Sequence, residues 1–459
     1  MLGTQKLLKS VVCPVMGCTE PAAVALACSM AAEVAAGLYP PPGDRRKGGK
    51  RSPGSRSLLG EGSFNLELLR VRTSRSIFKN AMAVGIPPSG RASGIHIAAA
   101  MGAFLPAREG LNLLKRADEA VVEAGKEIMR HGRLVLEVDE RDEEIYIEAI
   151  VIGTMGGDRH VGEAVISGGH SAVALLRRDG RTLMKKGAGG RPGREPSADL
   201  QHLSRCRMGE IIAMARNLRA ADIDYLIEGV GMNRRAAEKG IALRLGLGVG
   251  AALRDMVGEG QMSDDIVSRI KIATAGAADA RMSGYEVEVM SSSGSGNQGI
   301  MAILPVAIVA EGIGADRRRL AQALALSHLI TAHLTAGIGL LSALCGCVVK
   351  AGIGATAGIA WLLSGKEDVI EAAIGNMAGN IVGEICDGAK VGCALKMATA
   401  SGAAVDSACL ARRGIRVPWT NGIVGASSAE TFGNIAQVSA AMKEADRAII
   451  EIIGRKQGT

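Results

Sequence analysis

The stretch YEVEVMSSSGSGNQGI, residues 285–300, decides how the chain is read. Its run Gly294-Ser295-Gly296-Asn297-Gln298-Gly299 matches the Gly-x-Gly-x-x-Gly dinucleotide fingerprint and comes after a strand-like segment. A doubly wound domain would continue with a βαβ unit and an acidic residue about 20 positions on. Glu311 and Asp316 come too early. The chain instead continues as a series of helical patterns separated by glycines, at 297–312, 317–336, 338–350, 353–364, 368–382, 393–411 and 428–453. The segment therefore reads as a strand and turn entering a helical domain. Its Ser, Gly and Asn residues (Ser293, Gly294, Ser295, Gly296, Asn297) offer N–H groups and hydroxyls suited to a carboxylate or phosphate, the other reading being an ordinary tight turn.

Around this segment, helical periodicity extends from about 258 to 459, and 64–257 alternates strand patterns (NLELLRVR, RLVLEVDE, EEIYIEAIVIG, HSAVALLRR) with helical ones at 109–130 and 205–240. Residues 39–63, YPPPGDRRKGGKRSPGSRSLLGEGS, have neither period and read as a basic loop. Residues 1–38 hold an Ala-rich helix from Thr19 to Leu38, with Thr19 as the expected N-cap, packing on the helical domain. The expected class is α+β: a mainly helical domain with an inserted α+β domain.

The bulk numbers exclude several classes. The net charge of +8 comes from 54 basic and 46 acidic residues, much of the excess lies in 43–56, and four Phe, four Tyr and two Trp leave little on which bases could stack. No nucleic-acid partner is expected. The most apolar run, LTAGIGLLSALCGCVV (334–349), falls short of the ~18–20 apolar residues of a membrane span and reads as a buried helix. No membrane partner is expected either. Val15-Met16-Gly17-Cys18 has the look of a lipoprotein cleavage box, but its apolar run is short and more helix comes after it. Nine cysteines, an odd number set in apolar sequence, fit the reducing cytoplasm.

Three places concentrate cysteine. Cys18 stands at a helix start in VVCPVMGCTEP, where the helix dipole favours a thiolate while Glu20 opposes it. Cys386 and Cys393 are seven apart, about 10.5 Å on one continuous helix, but Gly388 and Gly392 break it and let both sulfurs converge. Cys345 and Cys347, read as helical, point about 200° apart, so one of them at most joins the other two. A three-thiolate centre and plainly buried thiols both remain open on spacing alone. Cys13, Cys28, Cys206 and Cys409 read as packing residues.

Taken in order, GCTEPAAVALA (17–27), KNAMAVGIP (79–87), GGHS (168–171), SSGSGNQGIMAILPV (292–306), LSHL (326–329), LSALCG (341–346) and ICDGAKVGCALKMAT (385–399) resemble the iron–sulfur-dependent L-cysteine desulfidases, relatives of the oxygen-sensitive L-serine dehydratases. The resemblance implies a [4Fe-4S] cluster on Cys345, Cys386 and Cys393, and a proton acceptor at Cys18. It also implies substrate-binding roles within the matched segments, at Lys79, Asn80 and His170 beside the Ser293–Asn297 loop. The implied partner is a small amino acid, with a homo-oligomer left open. The implied reaction is β-elimination of L-cysteine to pyruvate, ammonia and hydrogen sulfide, with L-serine dehydration as the alternative. A pyridoxal-phosphate eliminase lacks its lysine motif here, and an iron–sulfur sensor would not need Cys18 together with an anion loop.

Overall fold

A computed structural model describes residues 4–39, 64–87, 92–140, 143–185 and 198–457. Most of the expected basic loop, residues 40–63, lies outside them. The chain forms two compact units, a sheet unit of residues 18–195 and a helical unit of residues 1–17 and 196–459. The expected α+β class is observed.

The sheet unit is built around α2 (Thr19–Ala35), whose sequence TEPAAVALACSMAAEVA is apolar on every side and almost entirely buried. Its alanines allow very close approach from two directions. The strands are β2 (Phe64–Ser74), β3 (Leu134–Asp139), β4 (Tyr146–Met155), β5 (Asp158–Ser167), β6 (Val173–Arg178) and β7 (Arg181–Lys185), in the order β3-β2-β4-β5-β6-β7. β2 and β3 run parallel and the other pairs antiparallel. On β5, a Cβ at Gly162 would stand 2.0 Å from the carbonyl oxygen of Ala31, so glycine is what lets α2 lie on the sheet. A Cβ at Gly102, at the end of α4 (Ile95–Gly102), would stand 2.4 Å from the Ala25 carbonyl. A methyl group at either place forces helix and backbone apart, an overpacking cost of about 1–3 kcal/mol. The unit also holds α3 (Arg75–Ala81) and α5 (Glu119–Arg130).

The helical unit contains α1 (Thr4–Val11), α6 (Ala198–Leu203), α7 (Met208–Arg216), α8 (Ala220–Ala242), α9 (Val249–Gly258) and α10 (Ile266–Met282). It continues with α11 (Gly296–Gly312), α12 (Arg317–Ile338), α13 (Lys350–Leu363), α14 (Glu367–Ile381), α15 (Cys393–Arg412), α16 (Ser428–Ala441) and α17 (Lys443–Gln457). A two-stranded antiparallel ribbon of β1 (Pro14–Met16) and β8 (Glu288–Met290) completes it. Glycines again set the closest contact: a Cβ at Gly354 would meet Thr331 Oγ1 at 2.3 Å, and one at Gly358 the Ala323 carbonyl at 2.8 Å, so α13 lies directly against α12.

Three boundaries differ from the sequence reading. Residues 198–257 join the helical unit rather than the sheet, because Leu203, Met208, Ile211, Ile212 and Leu226 are buried in the helical core. The division near the N-terminus falls at 17/18, so α1 and β1 belong to the helical unit and α2 to the sheet unit. The helix expected over 338–350 does not form: α12 stops at Gly339, which adopts φ +101°, and the chain runs irregularly to Lys350. Leu344 instead pairs with Ile385 as an isolated antiparallel bridge. Among the described residues no helix is long and apolar enough to cross a membrane.

Candidate active site

In the helical unit the loop after β8 is a two-residue hairpin turn. Ser292 and Ser295 exchange backbone hydrogen bonds at 3.1 Å in both directions, and Ser293 and Gly294 between them sit at φ +48° and +82°. Glycine adopts such angles freely, whereas serine pays about 1 kcal/mol or more for them. That strain is confined to the residue whose hydroxyl is buried without a partner: Ser293 Oγ meets no donor or acceptor among the described residues, nor does Gln298 Oε1 one helical turn on. The turn is anchored from the end of α1 and the segment leading into β1, since Ser291 N–H donates to the Cys13 carbonyl (2.9 Å) and Ser293 N–H to the Val11 carbonyl (2.6 Å). Ser295 caps α11 by accepting from Gln298 N–H.

Two buried side chains hold this loop from behind. Arg281, near the end of α10, donates through Nη1 to Asn297 Oδ1 (3.0 Å) and through Nη2 to the Gly17 carbonyl (2.8 Å). A Cβ at residue 296 would fall 2.3 Å from Arg281 Nε, which explains the glycine there. His328 on α12 is hydrogen-bonded through Nδ1 to Ser292 Oγ at 2.9 Å. Burial pushes its imidazole down to about 3, so it is neutral at working pH. Sequence reasoning missed both residues. His328 lies in the quoted LSHL segment without any signal of its role, and Arg281 had none.

The cysteines gather beside this loop. Cys345 N–H donates to the Glu384 carbonyl (2.9 Å) and Cys386 N–H to the Ala343 carbonyl (2.7 Å), so backbone pairing clamps the two segments together. Cys393 opens α15, as expected, and its thiol points back to the Gly388 carbonyl. Cys347 is not turned away as a helix would turn it; its thiol and that of Cys345 are hydrogen-bonded, and it lies within the fields of Cys386 and Cys393. The bond to Cys347 pulls Cys345 down and pushes Cys347 up. Burial pushes Cys393 up to about 12. Lys396 pairs with Asp387 (3.0 Å) and Glu384 (3.1 Å), donates to the Ile385 carbonyl, and helps lower Cys345. Burial raises the Asp387 carboxyl, but Lys390 and Lys396 outweigh it and hold the group at about 2.

The turn between Cys345 and Cys347 touches α11. A Cβ at Gly346 would stand 2.7 Å from Lys350 Cε and 3.1 Å from Gln298 Nε2, so the serine–glycine loop and the cysteine group form one site. Lys350 is buried, with Nζ donating to the carbonyls of Gly339 (2.9 Å) and Leu340 (3.2 Å). Among the described residues no three His, Cys, Asp or Glu donors meet at single-ion geometry. The donor set is all thiol, the chemistry that suits an iron–sulfur cluster rather than a hard cation.

In the sheet unit, Cys18 rather than Thr19 is the N-cap of α2, with φ −92° and ψ 138°, and its side chain is buried. Glu20 in the first turn of α2 acts electrostatically on His170, whose imidazole is pushed down by burial and raised by that carboxylate. His170 Nε2 is buried and has no partner among the described residues. Lys79 and Asn80, on α3, are buried, Asn80 donating to the Ser76 carbonyl. Of the residues read as packing, Cys28 and Cys206 are buried, but Cys13 and Cys409 are exposed: Cys13 lies between α1 and β1 and Cys409 on an outward position of α15.

Comparison with known sequences places the chain in a family related to the serine dehydratase alpha chain. The family described as serine dehydratase alpha chain matches residues 109–451, and the chain belongs to it. It is similar to a UPF0597 protein of Clostridioides difficile, 37% identical over 95% of both chains. It is likewise similar to UPF0597 proteins of Alkaliphilus oremlandii (35% identical, 99% of this chain and 98% of the relative) and Desulfotalea psychrophila (35%, 98% of each).

Proposed function

We propose that the protein is a β-eliminating lyase acting on a small amino acid, with L-cysteine as substrate and pyruvate, ammonia and hydrogen sulfide as products. The observation that carries this reading is the close approach of Gly346 to Gln298, which brings Ser293 and Gln298, whose buried oxygens have no partner among the described residues, beside a group of four thiols. The Ser293 hydroxyl and the first N–H groups of α11 take the substrate carboxylate, where the helix dipole adds to the hydrogen bonds. Arg281 and His328 hold that turn in place, so the carboxylate meets donors already aimed at it.

Cys18 is the proton acceptor for the Cα proton. Its N-cap position favours the thiolate, and elimination then breaks the Cβ–S bond to give an aminoacrylate that hydrolyses. In the sheet unit, His170, whose Nε2 has no partner among the described residues, is assigned to substrate binding together with Lys79 and Asn80. Cys345, Cys386 and Cys393 would hold a [4Fe-4S] cluster, which when bound supplies an iron without a protein ligand as Lewis acid.

The family match favours a second substrate, L-serine, which would be dehydrated by the same residues. An anaerobic assay of the reconstituted protein with both amino acids separates them. Sulfide and pyruvate in equal amounts from L-cysteine, at a higher kcat/KM than pyruvate from L-serine, supports the desulfidase reading. Faster pyruvate release from serine reverses the assignment, and no pyruvate from either removes it.

A further inference from the structure

A second polar cleft lies at the far end of the α12–α13 pair. It has a volume of about 290 Å³ and is lined by Asp316, Arg318, Arg319, Gln322, Trp361 and Gly365. α13 leads from Lys350, beside the cysteine turn, to Leu363, beside the cleft, a path of about 20 Å at ~1.5 Å per residue. The cleft is therefore separate from the site described above.

Its lining is rich in donors. Arg318 and Arg319 both border it, and a third guanidinium, that of Arg216, lies 4.8 Å from the Trp361 ring centre. Against these three cations stands one carboxylate, Asp316, which already accepts from Arg319 N–H at 2.7 Å as the cap of α12. The arginines are held in place: Arg319 donates to the Leu362 carbonyl (2.7 Å) and Arg216 to the Gly365 carbonyl (3.3 Å). Gln322 fixes the neighbouring backbone by donating to the Arg216 carbonyl (3.1 Å). Trp361 is only 9% exposed, and its buried indole N–H has no acceptor among the described residues. A buried donor without an acceptor is uncommon in folded proteins. The same residue lines the cleft, whose charged groups are the guanidiniums of Arg318 and Arg319 and the carboxylate of Asp316.

We propose that this cleft binds a small oxyanion, a carboxylate or phosphate, through Arg318 and Arg319, with Trp361 as the aromatic wall. The volume is at the small end of ligand pockets, below that of a dinucleotide site. The two guanidiniums in the lining favour an acceptor-only, negatively charged group, and arginine forks match the planar carboxylate and the phosphate equally.

The chain's two tryptophans make the test direct, because Trp419 is 66% exposed and can be replaced. In the full chain carrying Trp419→Phe, the emission of Trp361 is recorded while sodium phosphate, and separately sodium pyruvate, is added at ionic strength held constant with chloride. A saturable change with either anion, its midpoint raised at least tenfold by Arg318→Gln, is the expected result, and which anion saturates names the ligand class. Arg319→Gln is measured alongside, with thermal unfolding confirming that each variant is folded. A response to both anions no different from that to chloride overturns the proposal, as does a saturable response that both arginine variants leave unchanged. The readout is binding and does not depend on turnover, so it stands apart from the reaction assigned to the cysteine site.

Discussion

Arg281 and Asn297 are hydrogen-bonded at 3.0 Å inside the helical core, and the same guanidinium holds the carbonyl of Gly17, the residue covalently before Cys18. One buried cation thus fixes the start of α11 and the end of the strand segment that leads to the proposed proton acceptor. Lysine carries the charge but lacks the planar fork, so it cannot keep both bonds. Arg281→Lys is expected to lower stability in urea unfolding by about 2 kcal/mol, the cost of leaving a buried acceptor unpaired. It should also raise KM for the amino acid at least tenfold. Unchanged KM in a folded variant would separate Arg281 from substrate binding.

Ser293 is strained where glycine would be relaxed. Ser293→Gly is therefore expected to leave stability unchanged or raise it by up to about 1 kcal/mol, while KM rises because the hydroxyl is gone. Stability and affinity moving in opposite directions is the signature. A variant that binds substrate as well as the parent shows that the strain serves something other than the carboxylate.

His328 makes a prediction in pH. Its folded value is about 3 against an ordinary 6.5, so between these values the unfolded chain binds the proton that the folded chain refuses. Its contribution to stability is complete above about pH 6.5 and is lost as pH falls toward 3, at up to about 1.4 kcal/mol per pH unit. His328→Asn keeps a hydrogen-bonding group for Ser292 and removes the titration, so its urea midpoint should fall less steeply than the parent's between pH 6.5 and 4.5. His328→Leu should flatten the same limb but raise KM. Parallel acid limbs in parent and Asn variant would contradict the assignment.

Gly346 tests the junction of loop and cysteines. A methyl group there presses on the ends of Lys350 and Gln298, which can shift, so Gly346→Ala should cost only about 1 kcal/mol of stability. Its larger effect should be on KM, through the displaced Gln298, with iron content after anaerobic reconstitution unchanged. Loss of iron with normal KM would mean that the cysteines, not the loop, depend on this glycine.

Much of this architecture is legible in sequence because it rests on local patterns. Alternation announces β2, β3, β4 and β6, the alanine-rich segment announces α2, and Gly388 with Gly392 announces the break that lets Cys393 begin α15. The segment 338–350 misled because its apolar run has helical composition, while its actual partners, Glu384 to Cys386, lie some 40 residues away in sequence and leave no periodic mark. The attachment of residues 198–257 to the helical unit was hidden for the same reason: a helix's apolar face does not say which core it joins. Ser293, Gly294 and Asn297 were legible as a loop. Arg281 and His328 were not, since a single buried polar side chain acquires its role only from what the fold sets beside it.

The decisive measurement compares three anaerobically reconstituted proteins, the parent, Cys18→Ser and Cys386→Ala, by broad visible absorbance and by sulfide and pyruvate release from L-cysteine. The expected result is absorbance and turnover in the parent, absorbance without turnover in Cys18→Ser, and neither in Cys386→Ala. Turnover that survives in Cys386→Ala without absorbance, or absorbance lost in Cys18→Ser, would contradict the division of labour between the thiol at the start of α2 and the three cysteines of the helical unit.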